Sequence, residues 1–113
     1  MPKPKKILII DDEADFCFLL KKYLSKKNCE IFLAGTLDAG LELVISERPD
    51  IVFLDNNLPD GFGWEKVEYI SKQIPGVKLN LISAYQHPMT VIASKNVQIL
   101  EKPLNFKRLD DFI

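Results

Sequence analysis

Residues 51–63 read IVFLDNNLPDGFG, and this stretch decides the fold. Four apolar residues lead to Asp55, and two asparagines and a Leu-Pro-Asp-Gly turn follow. A continuous apolar run bounded by turn residues is typical of a strand buried on both faces of a parallel sheet. Asp is also common where strands end. Two interpretations of Asp55 therefore stay open at this point: it forms the turn, or it is a functional carboxylate held at the tip of a rigid strand.

Strands and helices alternate along the rest of the chain. Predicted strands cover 6–10, 30–34, 50–55, 77–83 and 97–100, and predicted helices cover 13–27, 37–48, 63–74 and a segment from 105 that the chain end truncates. The residues at helical spacing are Phe16, Leu19, Leu20, Tyr23 and Leu24, then Leu37, Leu41, Val44 and Ile45, then Val67, Ile70 and Ile74. Alternating elements predict parallel strands joined by right-handed crossovers. The fold class is therefore α/β, a doubly wound five-stranded parallel sheet in a three-layer sandwich.

Residues 84–96, AYQHPMTVIASKN, interrupt this regularity. Pro88 and the poor apolar spacing predict a short or irregular fourth helix here. The only histidine, His87, lies in this segment, and we expect it to be a surface residue.

Size and charge predict one domain over residues 1–113. Hydrophobic residues make up 47% of the chain and charged residues 27%, and fifteen basic residues nearly balance sixteen acidic ones. This balance gives no argument for direct binding of nucleic acid, and no apolar run approaches the roughly 20 residues that membrane insertion needs. Cys17 and Cys29 have no metal-ligand spacing. Together these features predict a cytoplasmic domain.

Polar residues follow four of the predicted strands. Asp11 and Asp12 follow the first strand, Asp55 ends the third, Ser83 ends the fourth and Lys102 follows the fifth. Each of them alone has a plain structural explanation. In a doubly wound sheet, however, the carboxyl ends of the strands meet at one edge, where ligands bind. Carboxylates there attract a hard cation such as Mg²⁺, and with Lys102 they predict phosphoryl transfer to Asp55 as the nucleophile.

Four stretches together resemble the receiver domain of two-component response regulators: ILIIDDEADFCFLLKKYL, DIVFLDNNLPDGFGWE, LNLISAY and ILEKPLN. The resemblance covers essentially the whole chain and implies a flavodoxin-like topology. It implies that Asp55 is the phosphoacceptor, Ser83 binds the phosphoryl group after transfer and Lys102 pairs with that group. It also implies a Mg²⁺ site made by Asp11, Asp12, the Asp55 side chain and the backbone carbonyl of Asn57.

The resemblance also implies partners. The phosphoryl donor would be a sensor histidine kinase or a phosphotransfer protein, which would dock on the first helix. An output domain or a homodimer would carry the signal onward. Such a domain catalyses only its own phosphotransfer and dephosphorylation, so it is not an enzyme with an external substrate. Two interpretations of the length stay open: the N-terminal part of a longer regulator, or a compact receiver that uses another face.

One position departs from the family pattern. Family members commonly have Tyr or Phe three residues before the lysine, whereas this chain has Ile99. We therefore expect any activation to depend on backbone movement after the fourth strand. In the family, the positions of Asn57 and Tyr85 tune hydrolysis of the phosphoryl group.

Three alternative functions remain. A pseudo-receiver would bind partners without being switched by phosphorylation, and Ile99 favours it. A phosphatase of the haloacid dehalogenase type would also use an Asp nucleophile with Mg²⁺, but it requires a second acid where this chain has Asn57. A flavin mononucleotide carrier would require a glycine- and hydroxyl-rich phosphate loop after the first strand. Residues 11–15, DDEAD, would repel a phosphate there.

Overall fold

A computed structural model of the chain describes residues 3–83 and 96–102. Five strands form one parallel sheet: β1 (Lys5–Ile10), β2 (Cys29–Ala34), β3 (Ile51–Asp55), β6 (Lys78–Ser83) and β7 (Val97–Glu101). Their order across the sheet is β2-β1-β3-β6-β7. A small antiparallel hairpin, β4 (Asn57–Leu58) and β5 (Gly61–Phe62), follows β3. The predicted five-stranded parallel sheet is thereby confirmed.

Helices cover both faces of the sheet. They are α1 (Ala14–Leu24), α2 (Leu37–Glu47) and α3 (Val67–Gln73), the last preceded by a 3-10 turn over Gly63–Lys66. Helix α1 packs on one face through Leu20 and Leu24, and α2 and α3 pack on the other through Val44 and Ile70. The three-layer sandwich is therefore confirmed. The predicted fourth and fifth helices lie outside the described residues.

The central strands explain why the apolar runs are continuous. In β1, the side chains of Ile7–Ile10 are fully buried, and all five residues of β3 are buried. Because successive side chains of a strand point to opposite faces, a strand covered by helices on both faces must be apolar at every position. The chain crosses from β2 on one side of β1 to β3 on the other. The strand order therefore reverses between β1 and β3, and their carboxyl ends form the switch point where ligands bind in such sheets.

Two helix positions differ from the sequence prediction. Leu19 and Ile45 belong to the predicted apolar faces of their helices, but their side chains are 52% and 48% exposed. On α1 the buried positions are Cys17, Leu20 and Leu24, and on α2 they are Leu37, Gly40 and Val44. The α2 backbone lies so close to β1 at Gly40 that an added Cβ would come within 2.5 Å of Ile10 Cδ1. Because of this close approach, the face of α2 that contains Gly40 packs on the sheet, and the side chain of Ile45 is exposed.

Candidate functional site

Three aspartates meet at the switch point. Asp11 follows β1 directly and Asp55 ends β3, the neighbouring strand. Carboxylate oxygens of Asp11, Asp12 and Asp55 all lie within 4.8 Å of one another. Asp11 and Asp55 are only 2% and 5% exposed, whereas Asp12 is exposed. The cluster is therefore mostly buried but opens to solvent at Asp12.

Burial makes the carboxyl groups of Asp11 and Asp55 hard to ionise. Burial and, after it, the charge of Asp11 raise the pKa of Asp55 to about 6, against the opposing effects of Lys102 and a hydrogen bond from the Asn56 backbone. Burial likewise raises the pKa of Asp11, although contacts with Lys102 and the Glu13 backbone oppose the shift. A cation bound between the carboxylates would relieve this cost, because it favours their charged forms.

Lys102 supplies one positive charge. Its backbone N–H donates to the carbonyl of Ser83 at 2.9 Å, which holds it at the same edge of the sheet. Its Nζ lies 2.8 Å from Asp11 Oδ2 and 2.6 Å from Glu13 Oε1. Burial alone would lower the pKa of Lys102, but the contacts with Asp11 and Glu13 raise it overall. Within the described part of the chain, Lys102 is paired with Asp11 and Glu13 and acts on Asp55 only through the electrostatic field.

Sequence reasoning did not single out Glu13 and Phe16 as part of this site. The ammonium of Lys102 lies 4.5 Å from the centre of the Phe16 ring, within the range of a cation–π contact. Glu13 and Lys102 are in contact although they are 89 residues apart in the sequence. The available signal for Glu13 was its place directly after the acidic pair. Phe16 had no distinguishing signal, because aromatic residues at helical spacing are usually part of the core.

The oxygen atoms of Asp11 fit a hard cation. Oδ1 accepts a hydrogen bond from the Glu13 N–H at 2.9 Å, and the Asp11 N–H donates to the carbonyl of Ala34 at 3.0 Å. Oδ2 is buried, and the Lys102 ammonium lies 2.8 Å from it. The carboxylate oxygens of Asp11, Asp12 and Asp55 form an oxygen-only donor set, which is suited to Mg²⁺.

The loop after Asp55 is tightly fixed. A Cβ at Gly63 would collide with the backbone oxygen of Asp55 and come within 2.9 Å of Leu54 Cδ1, so only glycine fits. The Gly63 N–H donates to the Asn56 carbonyl at 3.0 Å, and the Trp64 N–H donates to Asn56 Oδ1 at 3.2 Å. The buried Trp64 indole donates to the Leu54 carbonyl at 3.3 Å. The sequence pattern did not assign Gly63 or Asn56 to the site.

The remaining predicted site residues lie at the same edge. Ser83 is buried at the end of β6, one residue beyond the position that pairs with Asp55. Asn57 is exposed and begins the β4–β5 hairpin, where it pairs with Phe62. Their predicted roles, as phosphoryl ligand and metal ligand, stay predictions. Ile99 lies in β7 with its side chain about half exposed.

The two cysteines lie in the core and at the start of a strand. Cys17 is buried, and its Sγ donates to the Asp11 carbonyl at 3.3 Å, as expected of a small core residue. Cys29 begins β2, and both thiols are free. His87, Tyr85 and the segment predicted to move after β6 lie outside the described residues. None of the helices within residues 3–83 and 96–102 has the length and hydrophobicity of a membrane-spanning segment.

A doubly wound sheet with an acidic cluster at its switch point defines a receiver-like class of α/β domain. Comparison of the sequence with models of protein families identifies the family. The family model described as response regulator receiver domain matches residues 7–113. This chain therefore belongs to the receiver domain family of two-component systems, whose members are signalling domains.

Relatives and solved structures agree with this assignment. The transcriptional regulatory protein YxdJ of Bacillus subtilis (strain 168) is 30% identical over 103 residues, which are 89% of this chain and 45% of that protein. The response regulator protein PilR of Pseudomonas aeruginosa is 31% identical over 112 residues, which are 96% of this chain and 25% of that protein. The chain thus spans about half of the first relative and a quarter of the second. A CheY-like receiver domain from Methanospirillum hungatei JF-1 has a TM-score of 0.86 and 28% identity, over 96% of this chain and 89% of that chain.

Proposed function

We propose that this chain is a phosphoacceptor switch domain, which takes a phosphoryl group from a phosphohistidine onto Asp55. The observation that carries the proposal is the convergence of Asp11, Asp12 and Asp55 within 4.8 Å at the switch point. A carboxylate oxygen of Asp55 forms the new O–P bond. The P–N bond to the donor imidazole breaks, and its electrons stay with the nitrogen, which takes up a proton.

Mg²⁺ is the cation that the site would hold. Asp11, Asp12, the Asp55 side chain and the backbone carbonyl of Asn57 are its proposed ligands. When bound, the ion neutralises charge on the phosphoryl oxygens during transfer. The raised pKa values of Asp55 and Asp11 support this assignment, because cation binding would offset the electrostatic cost of keeping both groups charged.

Lys102 and Ser83 would bind the transferred group. In the structure, the ammonium of Lys102 lies 2.8 Å from Asp11 Oδ2, next to the acceptor but not paired with it. We propose that it exchanges this contact for a phosphoryl oxygen once Asp55 is modified. The hydroxyl of Ser83, at the end of the neighbouring strand, would donate to another of these oxygens. Both side chains thus stabilise the aspartyl phosphate after the bond has formed.

The face of α1 is the proposed docking surface for the phosphoryl donor. Phe18 and Leu19 on this helix are 64% and 52% exposed. Phe18 also lines a cleft with Asp12 and Leu33 that opens beside the acidic cluster. Exposed apolar side chains next to a reactive site favour a partner that covers them. That partner would be a sensor histidine kinase or a phosphotransfer protein. The cytoplasmic location and the attachment of an output domain or formation of a homodimer stay predictions.

A small phosphodonor tests the proposal. The chain is incubated with acetyl phosphate and Mg²⁺, trapped with borohydride and analysed by mass spectrometry. We expect one adduct at Asp55 that requires Mg²⁺, is absent from Asp55→Asn, and is retained in Glu42→Gln, the same acid-to-amide change on the exposed face of α2. An adduct that persists in Asp55→Asn would show that another residue is the nucleophile.

A pseudo-receiver is the second candidate, and two observations favour it. Ile99 replaces the aromatic residue common in the family, and Lys102 is held by Glu13 at 2.6 Å. A pseudo-receiver would bind its partner equally well with and without Mg²⁺ and phosphodonor. Absence of any adduct in the parent chain, together with unchanged partner binding, would decide for this alternative.

A further inference from the structure

Asp60 reaches from the β4–β5 hairpin to the start of α2. Its Oδ1 accepts a hydrogen bond from the Leu37 N–H at 2.7 Å, and its Oδ2 accepts one from the Asp38 N–H at 2.8 Å. The helix has its own cap as well, because Thr36 Oγ1 accepts from the Ala39 N–H at 3.1 Å. The first N–H groups of a helix have no partner within the helix, so a carboxylate is well suited to bind them. The hydrogen bonds with Asp38 and Leu37 also lower the pKa of Asp60.

The hairpin that carries Asp60 also carries Asn57. Asn57 pairs with Phe62 and Leu58 pairs with Gly61, so Pro59 and Asp60 form the two-residue turn. This hairpin is too short to be stable alone, since isolated two-stranded hairpins are marginal even when longer. Its position must therefore depend on external contacts. The Gly63 N–H, bound to the Asn56 carbonyl, holds its base, and Asp60 holds its tip.

The segment that Asp60 binds is itself connected to the acidic cluster. The Asp11 N–H donates to the carbonyl of Ala34 at 3.0 Å, three residues before Leu37. Leu37 also packs toward the hairpin, because a Cβ at Gly61 would lie 3.4 Å from Leu37 Cδ2. The short segment 34–38 therefore contacts Asp11 at one end and the hairpin at the other. Through Asp60, this segment links the loop after β1, which supplies Asp11 and Asp12, to the loop after β3, which supplies Asn57.

We propose that Asp60 is a positioning residue for the cation site. It holds the hairpin in place and with it the backbone of Asn57, whose carbonyl is the proposed ligand beside Asp11, Asp12 and Asp55. This inference rests on the proposed function and deepens it, since it names a residue that sets how tightly the site binds Mg²⁺. Asp60 does not touch the reacting atoms and is not a catalytic residue. Its effect passes through the hairpin backbone.

The test compares Asp60→Ala with Thr36→Ala. Both changes remove side-chain acceptors from the first turn of α2, but only the first releases the hairpin. Mg²⁺ affinity is measured by calorimetric titration of the full chain, and unfolding is followed by circular dichroism. We expect Asp60→Ala to bind Mg²⁺ roughly 10- to 100-fold more weakly, the loss common when a partner that orients a ligand is removed. Thr36→Ala should keep the parent affinity although its helix cap is weakened.

Rescue separates positioning from a general loss of stability. Asp60→Asn keeps one acceptor oxygen, so it can bind one of the two N–H groups, and we expect it to recover part of the Mg²⁺ affinity. Equal Mg²⁺ affinities in Asp60→Ala and the parent chain would overturn the inference, and so would an equal loss in Asp60→Ala and Thr36→Ala. These results are distinct from failure of the proposed function, which is judged by the borohydride-trapped adduct of the parent chain.

Discussion

Replacing Asp55 by Asn should stabilise the cation-free protein, although Asp55 is the proposed nucleophile. The pKa of Asp55 is about 6 in the folded chain, because of burial and the neighbouring charge of Asp11. An unfolded Asp has a pKa of about 3.9, so the shift is about two pKa units. At 1.36 kcal/mol per unit, the charged form destabilises the folded state by roughly 3 kcal/mol at neutral pH. Asn keeps an oxygen that can accept from the Asn56 N–H, but a neutral acceptor binds it less strongly than a carboxylate, and this offsets about 1 kcal/mol of the gain.

The sign of the pH dependence follows from the raised pKa. The folded state holds the proton of Asp55 more tightly than the unfolded state does. The contribution of Asp55 to stability therefore falls as pH rises from about 4 to about 6, and the full penalty remains above that range. The difference in unfolding free energy between Asp55→Asn and the parent should thus be largest at pH 7 to 8 and should shrink toward zero near pH 4.

Urea denaturation in EDTA, at several values of pH from 4 to 8, measures this difference. We expect Asp55→Asn to exceed the parent by about 2 kcal/mol at pH 7.5, whereas Glu42→Gln should match the parent throughout. Adding Mg²⁺ should reverse the order, because a ligand at 100 times its Kd stabilises the parent by about 2.7 kcal/mol and the variant binds it less well. The reasoning is refuted if Asp55→Asn is no more stable than the parent at pH 7.5, or if the gain is the same at pH 4.

Two further changes probe the surroundings of the site. Gly63→Ala should destabilise the chain by at least about 2 kcal/mol in urea denaturation, because the added methyl group collides with the Asp55 backbone and with Leu54. Parent-like stability of Gly63→Ala would contradict the close approach. Lys102→Met should raise the pKa values of Asp55 and Asp11 further, because the ammonium now lowers both. Carbon NMR of the carboxyl groups measures these values, and unchanged or lower ones would show that Lys102 does not act on the cluster.

Much of the fold was predictable because its signals are local. The apolar runs that became β1 and β3, each followed by aspartate, predicted a sheet buried on both faces, and the structure confirms it. The same pattern also predicted which polar residues lie at the carboxyl-terminal edge of the sheet. The helix faces were less predictable. Leu19 and Ile45 lie on the apolar stripe of their helices, but they are exposed because the close contact at Gly40 and the packing of Leu20 orient the helices differently.

The sequence by itself determined the order of the elements and the chemical types at the strand ends, since both depend on neighbours along the chain. Only the tertiary structure decided that Lys102 pairs with Glu13 and that Asp60 binds the first turn of α2. Only the tertiary structure decided how deeply Asp55 is buried, and hence its raised pKa. These properties depend on how elements distant in sequence pack in space. Local periodicity contains no information about such partners, so they become visible only when the sheet and helices are assembled.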